Sequence, residues 1–440
     1  GIQTLLEAKT IYYLAWGEGI APSVKKLVEG GVDESNPASY IQNHSQTEVI
    51  LDKAAAADLT RIRSPWLAGS CIWTEELTKK AVFWLCKHLD KPILKLTARD
   101  YNDNGMSDLI TERGPFSKIN IDVFNSLQHT ITGWPGGKPN ADDSTRPERA
   151  LPYPKRVIVF SPHPDDDVIS MGGTVARLSQ QGHELHIAYH TSGNIAVFDH
   201  DVIRFLDFLQ EISPVYGMNE EKAKFIFKQA KIDLDNKKPG EPDTESIRRV
   251  KGIIRRGEAK SACDYLGIKP GNVHFLEMPF YETGGVKKDP LSRSDIEIVK
   301  AFMEEIKPHQ IFAAGDLSDP HGTHRVCYLA ILAAIDELQD HEWIKDCRLW
   351  LYRGAWQEWD VADADMAVPL SPEEVIIKRN AIFRHQSQKD PALFPGNDPR
   401  EFWKRAEERN HNTAKLYDKL GMAEYQAIEL FKLYRKGLSI

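Results

Sequence analysis

Between Arg156 and Asp167 the chain reads RVIVFSPHPDDD, which places one histidine and three carboxylates within five positions. His163 and Asp166 stand three apart across a turn braced by Pro162 and Pro164, so both side chains can face one point. Such nitrogen and oxygen donors suit a hard or borderline divalent ion, and a catalytic zinc site takes three protein ligands and keeps a position open for water. A third ligand has to come from another loop. DPHGTH, residues 319–324, offers both His321 and His324. Aspartates ahead of a helix also serve as N-caps and dipole partners, so HPDDD alone does not decide the matter.

What ties the two loops together is the pattern of elements around them. Val157, Ile158, Val159 and Phe160 form an unbroken apolar run, the mark of a buried parallel strand, and Val168 to Leu178 resumes with helical spacing. The acidic cluster therefore sits in a strand-to-helix turn, at the carboxyl edge of a sheet where ligands bind in open α/β folds. The second loop likewise follows an apolar strand, Ile311 to Ala314. Two His/Asp loops at one edge of one sheet point to a shared metal site.

The βα alternation continues on either side. His186 to His190 reads as a strand ending in Thr191, Ser192, Gly193 and Asn194; residues 198–240 read as an inserted helical excursion; Ser246 to Leu266 is an amphipathic helix. Strands at Val273 to Leu276 and Leu349 to Tyr352, helices at Asp295 to Ile306 and from Arg325, and helix-rich sequence to the end complete the pattern. The expected fold class is α/β: a Rossmann-like, doubly wound, mostly parallel sheet with an N-terminal partial α/β segment and a helical C-terminal extension.

From Pro154 to Gln388 these residues resemble the PIG-L/LmbE-like metal-dependent de-N-acetylases, whose first loop reads (A/P)HPDDE and whose later loop is commonly HPDH. The resemblance takes in TSGN, RRGEAKSACDYLGI, FLEMPFY and KRNAIFRHQSQ as well. It implies that His163, Asp166 and His324 hold the metal, that Asp165 is the general base, and that His321 assists at the carbonyl oxygen or leaving amine. Arg255, three residues before Glu258, falls where that family places a substrate-contacting arginine, and Asn194 of TSGN is the other substrate-binding candidate. Asp167 stands for the usual glutamate and Thr323 for the aspartate of HPDH, both in supporting positions behind the metal ligands. Threonine supplies no charge to orient His321, which leaves Asp316 or Asp319 to do so.

The first 65 residues resemble something else, the C-terminal portion of the glucosamine-6-phosphate deaminases, through GIQTLLEAKTIYYLAWGEG, LVEGGV, ASYIQNH and VILDKAAA. That family's catalytic acidic residues and histidine lie upstream of anything matched, and Ile20 replaces its phosphate-binding lysine. The segment reads as a remnant or as the tail of a larger fused protein. The expected organisation is a deaminase-like segment at 1–65, a helical connector and Pro/Gly-rich linker at 66–150, a deacetylase domain at 151–390 and a helical extension at 391–440. In the connector, Trp66, Trp73, Leu77, Val82, Trp84 and Leu85 have the helical spacing of a core face.

With 440 residues, 41% hydrophobic and 27% charged, the composition is that of a globular protein of more than one domain. A net charge of -8 gives no reason to expect nucleic acid, and no apolar run approaches a membrane span. Five scattered cysteines without a CxxC pair fit reduced, buried thiols in a cytoplasmic protein. The function expected from all this is a zinc-dependent, or other divalent-metal-dependent, hydrolase that removes the N-acetyl group of an N-acetylglucosamine-type small molecule, with room for a homo-oligomer. The alternatives are a deaminase-related fusion protein whose lyase half is missing and a non-catalytic sugar-binding scaffold.

Overall fold

The structure, a computed structural model, describes residues 1–140, 144, 151–285, 287–319, 322–354, 357–389 and 400–435. The chain divides into two compact units, one centred on residues 1–129 and the other on residues 130–415.

In the first unit a parallel pair, β1 (Ile11–Ala15) and β2 (Thr47–Leu51), is bridged by helix α1 (Ala21–Glu29). Helix α2 (Glu75–Leu89) starts where the Thr74 side chain accepts the Leu77 N–H. The tryptophan-rich stretch is core as its spacing predicts: Trp66 and Trp73 are buried and stack, and Val82 and Leu85 are fully buried beside them in sequence.

The second unit is built on β3 (Arg156–Ser161), whose Val157 to Phe160 are all fully buried. Helix α3 (Asp166–Gln180), β4 (Glu184–Tyr189), α4 (Asp199–Ile212), α5 (Glu220–Asn236), α6 (Glu245–Tyr265), β5 (Val273–Phe275) and α7 (Arg293–Ile306) follow. Then come β6 (Gln310–Ala314), α8 (Thr323–Leu338), β7 (Arg348–Tyr352), β8 (Met366–Leu370), α9 (Pro372–Ile382), α10 (Phe402–Lys419) and β9 (Ala427–Leu433). Among the described residues, seven strands make one sheet in the order β5-β4-β3-β6-β7-β9-β8, the first five parallel and β9 antiparallel to both its neighbours. Both faces of β3 are covered. Val157 and Val159 join the cluster that includes residues of α3 and α6, while the Phe160 ring meets Phe302 of α7 edge-on. From β3 the chain steps outward through β4 and β5, then returns to lay β6 and β7 on the other side. The carboxyl ends of β3 and β6 therefore flank the point where strand order reverses, the crevice in which such sheets bind ligands.

The C-terminal part departs from the expected helical extension. Helix α10 is there, but Ala427 to Leu433 form a strand inserted between β7 and β8. Ala427, Ile428, Glu429, Leu430 and Phe431 are all buried, so the strand shows no alternation, and its apolar run imitates helical spacing. Residues 391–399 and 436–440 of that extension lie outside the described residues. The stretch read as a linker begins as packed chain: Pro135, Gly136 and Gly137 are buried, and a Cβ on Gly136 would meet the His183 ring at 2.4 Å.

Two histidines hold the start of β3. His183 Nδ1 accepts the Lys155 N–H at 3.0 Å, and His309 Nδ1 accepts that of Arg156 at 2.9 Å. Burial, with nearby Lys155 and Arg156, pushes both imidazoles down to about 4. Unfolded, they take up protons near pH 6.5, so this stabilisation is complete above that pH and is lost as pH falls towards 4. A thermal midpoint several degrees lower at pH 5 than at pH 7.5 is expected, and His183→Asn, which keeps an acceptor but does not titrate, should narrow the gap.

Candidate metal centre

Pro162 to Asp165 turn out of β3 into α3, and this turn brings His163 and Asp166 together. Asp166 Oδ2 accepts the His163 backbone N–H at 2.9 Å and lies 3.0 Å from His163 Nδ1. From the loop after β6, His324 in the first turn of α8 brings Nε2 to 3.2 Å from the same oxygen. The ligand atoms of His163, Asp166 and His324 all lie within 4.8 Å of one another. His324 Nδ1 donates to the Asp316 carbonyl at 2.8 Å, which fixes the ring and turns Nε2 towards the cluster. That Nε2 is buried and makes no directed hydrogen bond among the described residues. Burial opposes the charge on His324, yet Asp166, with Asp319 and Asp316, pushes its imidazole up to about 10. Burial likewise works against charged Asp166, but His324 and His163 hold its carboxyl well below the usual range. Two imidazoles and a carboxylate thus converge on one point, the donor set a divalent ion of the zinc type takes.

The three consecutive aspartates part company. Asp165 occupies the N-cap position of α3 but makes no capping hydrogen bond; its Oδ1 lies 3.2 Å from Arg255 Nη2. Burial raises the Asp165 carboxyl and Arg255 opposes that rise. Asp167 turns away from the cluster, accepting from Ser161 Oγ at 3.2 Å and Tyr189 OH at 3.1 Å, and burial pushes it up to about 7. The N-cap reading of HPDDD is therefore not realised at Asp165.

Arg255, read from the sequence as a substrate contact, is 1% exposed and meets Asp165. One helical turn on, Glu258 accepts both the N–H and the hydroxyl of Ser387 at 2.7 Å, locking α6 to the segment after α9. Asn194 is buried with its NH2 group given to Ser192 Oγ at 2.7 Å and Glu282 Oε2 at 3.0 Å. Thr323 donates its backbone N–H to Asp319 Oδ2 at 2.8 Å. Asp316 is engaged by Ser318 and Gln357, whereas Asp319 Oδ1 is buried without a hydrogen-bond partner among the described residues. His321 lies outside the described residues.

Two buried histidines at the site had no role in the sequence reading. His190, at the end of β4, is stacked on Phe160, and His385 follows α9; burial pushes each down to about 3. HIAYH and RHQSQ both display their histidines, but nothing in their spacing says that they turn inward.

Fold and site together define an α/β domain with a His/Asp/His centre at the switch point of its sheet. Residues 158–335 match the family model PIG-L, GlcNAc-PI de-N-acetylase, and are a PIG-L domain. A glucosamine-6-phosphate deaminase-like protein of Bacteroides thetaiotaomicron is 55% identical over 99% of this chain, which spans 66% of that relative's length. The glucosamine-6-phosphate deaminase of Lacticaseibacillus paracasei is 51% identical over 61 residues, 14% of this chain and 26% of the enzyme. Among solved structures, the N,N'-diacetylchitobiose deacetylase from Pyrococcus horikoshii aligns at a TM-score of 0.42 and 19% identity, over 66% of this chain and 89% of that one.

Proposed function

We propose that the second unit hydrolyses the N-acetyl group of an amino sugar or its conjugate, with a divalent ion, zinc by its donor set, held by His163, Asp166 and His324. The observation that carries this reading is the division of two adjacent carboxylates: Asp166 lies in the ligand cluster, while Arg255 holds Asp165 outside it. A divalent ion there supplies Lewis acidity to a carbonyl oxygen and to water. Asp165 is assigned the proton of the attacking water; burial raises its carboxyl above the usual range, and the ion pair with Arg255 limits that rise. His321 is assigned to the leaving amine. The deaminase-like first segment and the PIG-L family's own GlcNAc substrate support an amino sugar over other amides.

Acetate release from a panel of N-acetylated amino sugars, with bound metal quantified in the same sample, tests the proposal. One ion per chain in the wild type, its loss in Asp166→Ala, and acetate release that tracks the metal are expected; full activity after complete metal removal would sink it. Gly193 supplies a subtler check. Its φ is +65°, and a Cβ there would lie 2.9 Å from Arg255 Nε and from Pro164 Cδ. Gly193→Ala should push Arg255 off Asp165 and lower turnover about 100-fold, the cost of roughly 1 Å of misplacement, with metal content unchanged.

A further inference from the structure

We infer that a small pocket beside Asp165 receives the acyl group and limits the enzyme to acetyl; this rests on the hydrolase reading above and adds the acyl length it accepts. Asp165 forms part of the wall, with Ile169 of α3, Ile382 at the end of α9, His385, and Phe402 and Trp403 at the start of α10. A group bound there is therefore next to the carboxylate assigned to the reacting water. The cavity volume is about 10 Å³, close to the least that one small group needs, so a methyl is the largest acyl tail it takes and the propyl tail of a butyryl group does not fit. Its walls are largely apolar, which suits a methyl and suits poorly a sugar ring whose hydroxyls need partners.

Besides Asp165, the polar lining groups are His385, Gln388 and Lys389, and of these His385 is the one aimed inward without a partner. It is 2% exposed, and neither ring nitrogen has a hydrogen-bond partner among the described residues. A neutral imidazole offers one N–H to an acyl carbonyl, and leaving it unpaired in a pocket without a ligand is otherwise costly. The walls come from three helices that meet only after the chain has passed α3, α9 and α10, so acyl selectivity is set by residues far from both metal loops in sequence. Trp403 is held in turn by an edge-on contact with Phe383 at 5.4 Å and by the Arg379 guanidinium over its ring.

The test compares N-acetyl-, N-propionyl- and N-butyrylglucosamine with the metal-loaded full chain. The wild type should lose about tenfold or more in kcat/KM with each added methylene. Trp403→Ala, at a partly buried position, and the milder Ile382→Val, which keeps the core packed, should each compress the acetyl-to-butyryl ratio, the former about tenfold or more. Equal cleavage of acetyl and butyryl substrates by the wild type, or an unchanged ratio in both variants, overturns the pocket assignment while leaving the hydrolase intact. Failure of the metal-loaded wild type on all three substrates and on the panel of N-acetylated amino sugars overturns both.

Discussion

Asp165→Ala is expected to lower acetate release about 100- to 10,000-fold while bound divalent metal stays at the wild-type level. The two halves of that outcome come from different atoms. Asp166, His163 and His324 form the cluster without help from Asp165, whose Oδ1 faces Arg255 instead. Removing the Asp165 carboxylate removes a proton acceptor but no ligand. Arg255→Ala should follow in the same direction and less far, since it leaves the base in place but unheld and more easily protonated in its buried setting. Because Arg255 acts through Asp165, a steeper fall in kcat than in substrate affinity is expected. Arg255→Lys should restore part of the rate through charge alone, without the guanidinium's geometry. A merely structural Arg255 would show no such rescue. Loss of metal in Asp165→Ala would put Asp165 among the ligands and undo this division.

The clustering of His163, Asp166 and His324 was legible because it needs only two strand ends and three residues with ligand chemistry. Apolar runs at Val157 to Phe160 and Ile311 to Ala314 announce buried strands, and the strands place HPDDD and HGTH at one edge. What stayed hidden depends on long-range packing. Arg255 was singled out through the family resemblance as a substrate contact, but its burial against Asp165 follows only once α6 is laid beside the TSGN loop, and His385 is a loop histidine until it turns inward after α9. Strand β9 was hidden for the opposite reason: buried on both faces, its sequence carries no two-residue period to betray it.

Glu429→Ala should be the most destabilising single change in the second unit, at about 3–5 kcal/mol. Helix α3 is interrupted at Met171, where φ is -138° and ψ is 26°, so the N–H groups just beyond it lose their helical acceptors. Glu429, 1% exposed on β9, takes the Gly173 N–H at 3.1 Å, the Thr174 N–H at 2.7 Å and the Thr174 hydroxyl at 2.6 Å. Lys378 completes the set at 2.7 Å and also reaches Asn410 and the Ser170 carbonyl. If the ion pair were the main contribution, exchanging both partners for apolar residues, as in Lys378→Met with Glu429→Leu, would be close to neutral. The geometry argues for capping instead. The double variant should remain destabilised by about 2 kcal/mol or more, because two buried backbone N–H groups stay unpaired at about 1–3 kcal/mol each. Thermal unfolding followed by tryptophan fluorescence decides between the two, a double variant as stable as wild type favouring the ion pair. The effect should reach the metal as well. Asp166 sits in the turn of α3 ahead of the interruption, and its direction depends on how the two halves of the helix are joined. In Glu429→Ala, metal affinity is therefore expected to weaken at temperatures where the chain is still folded.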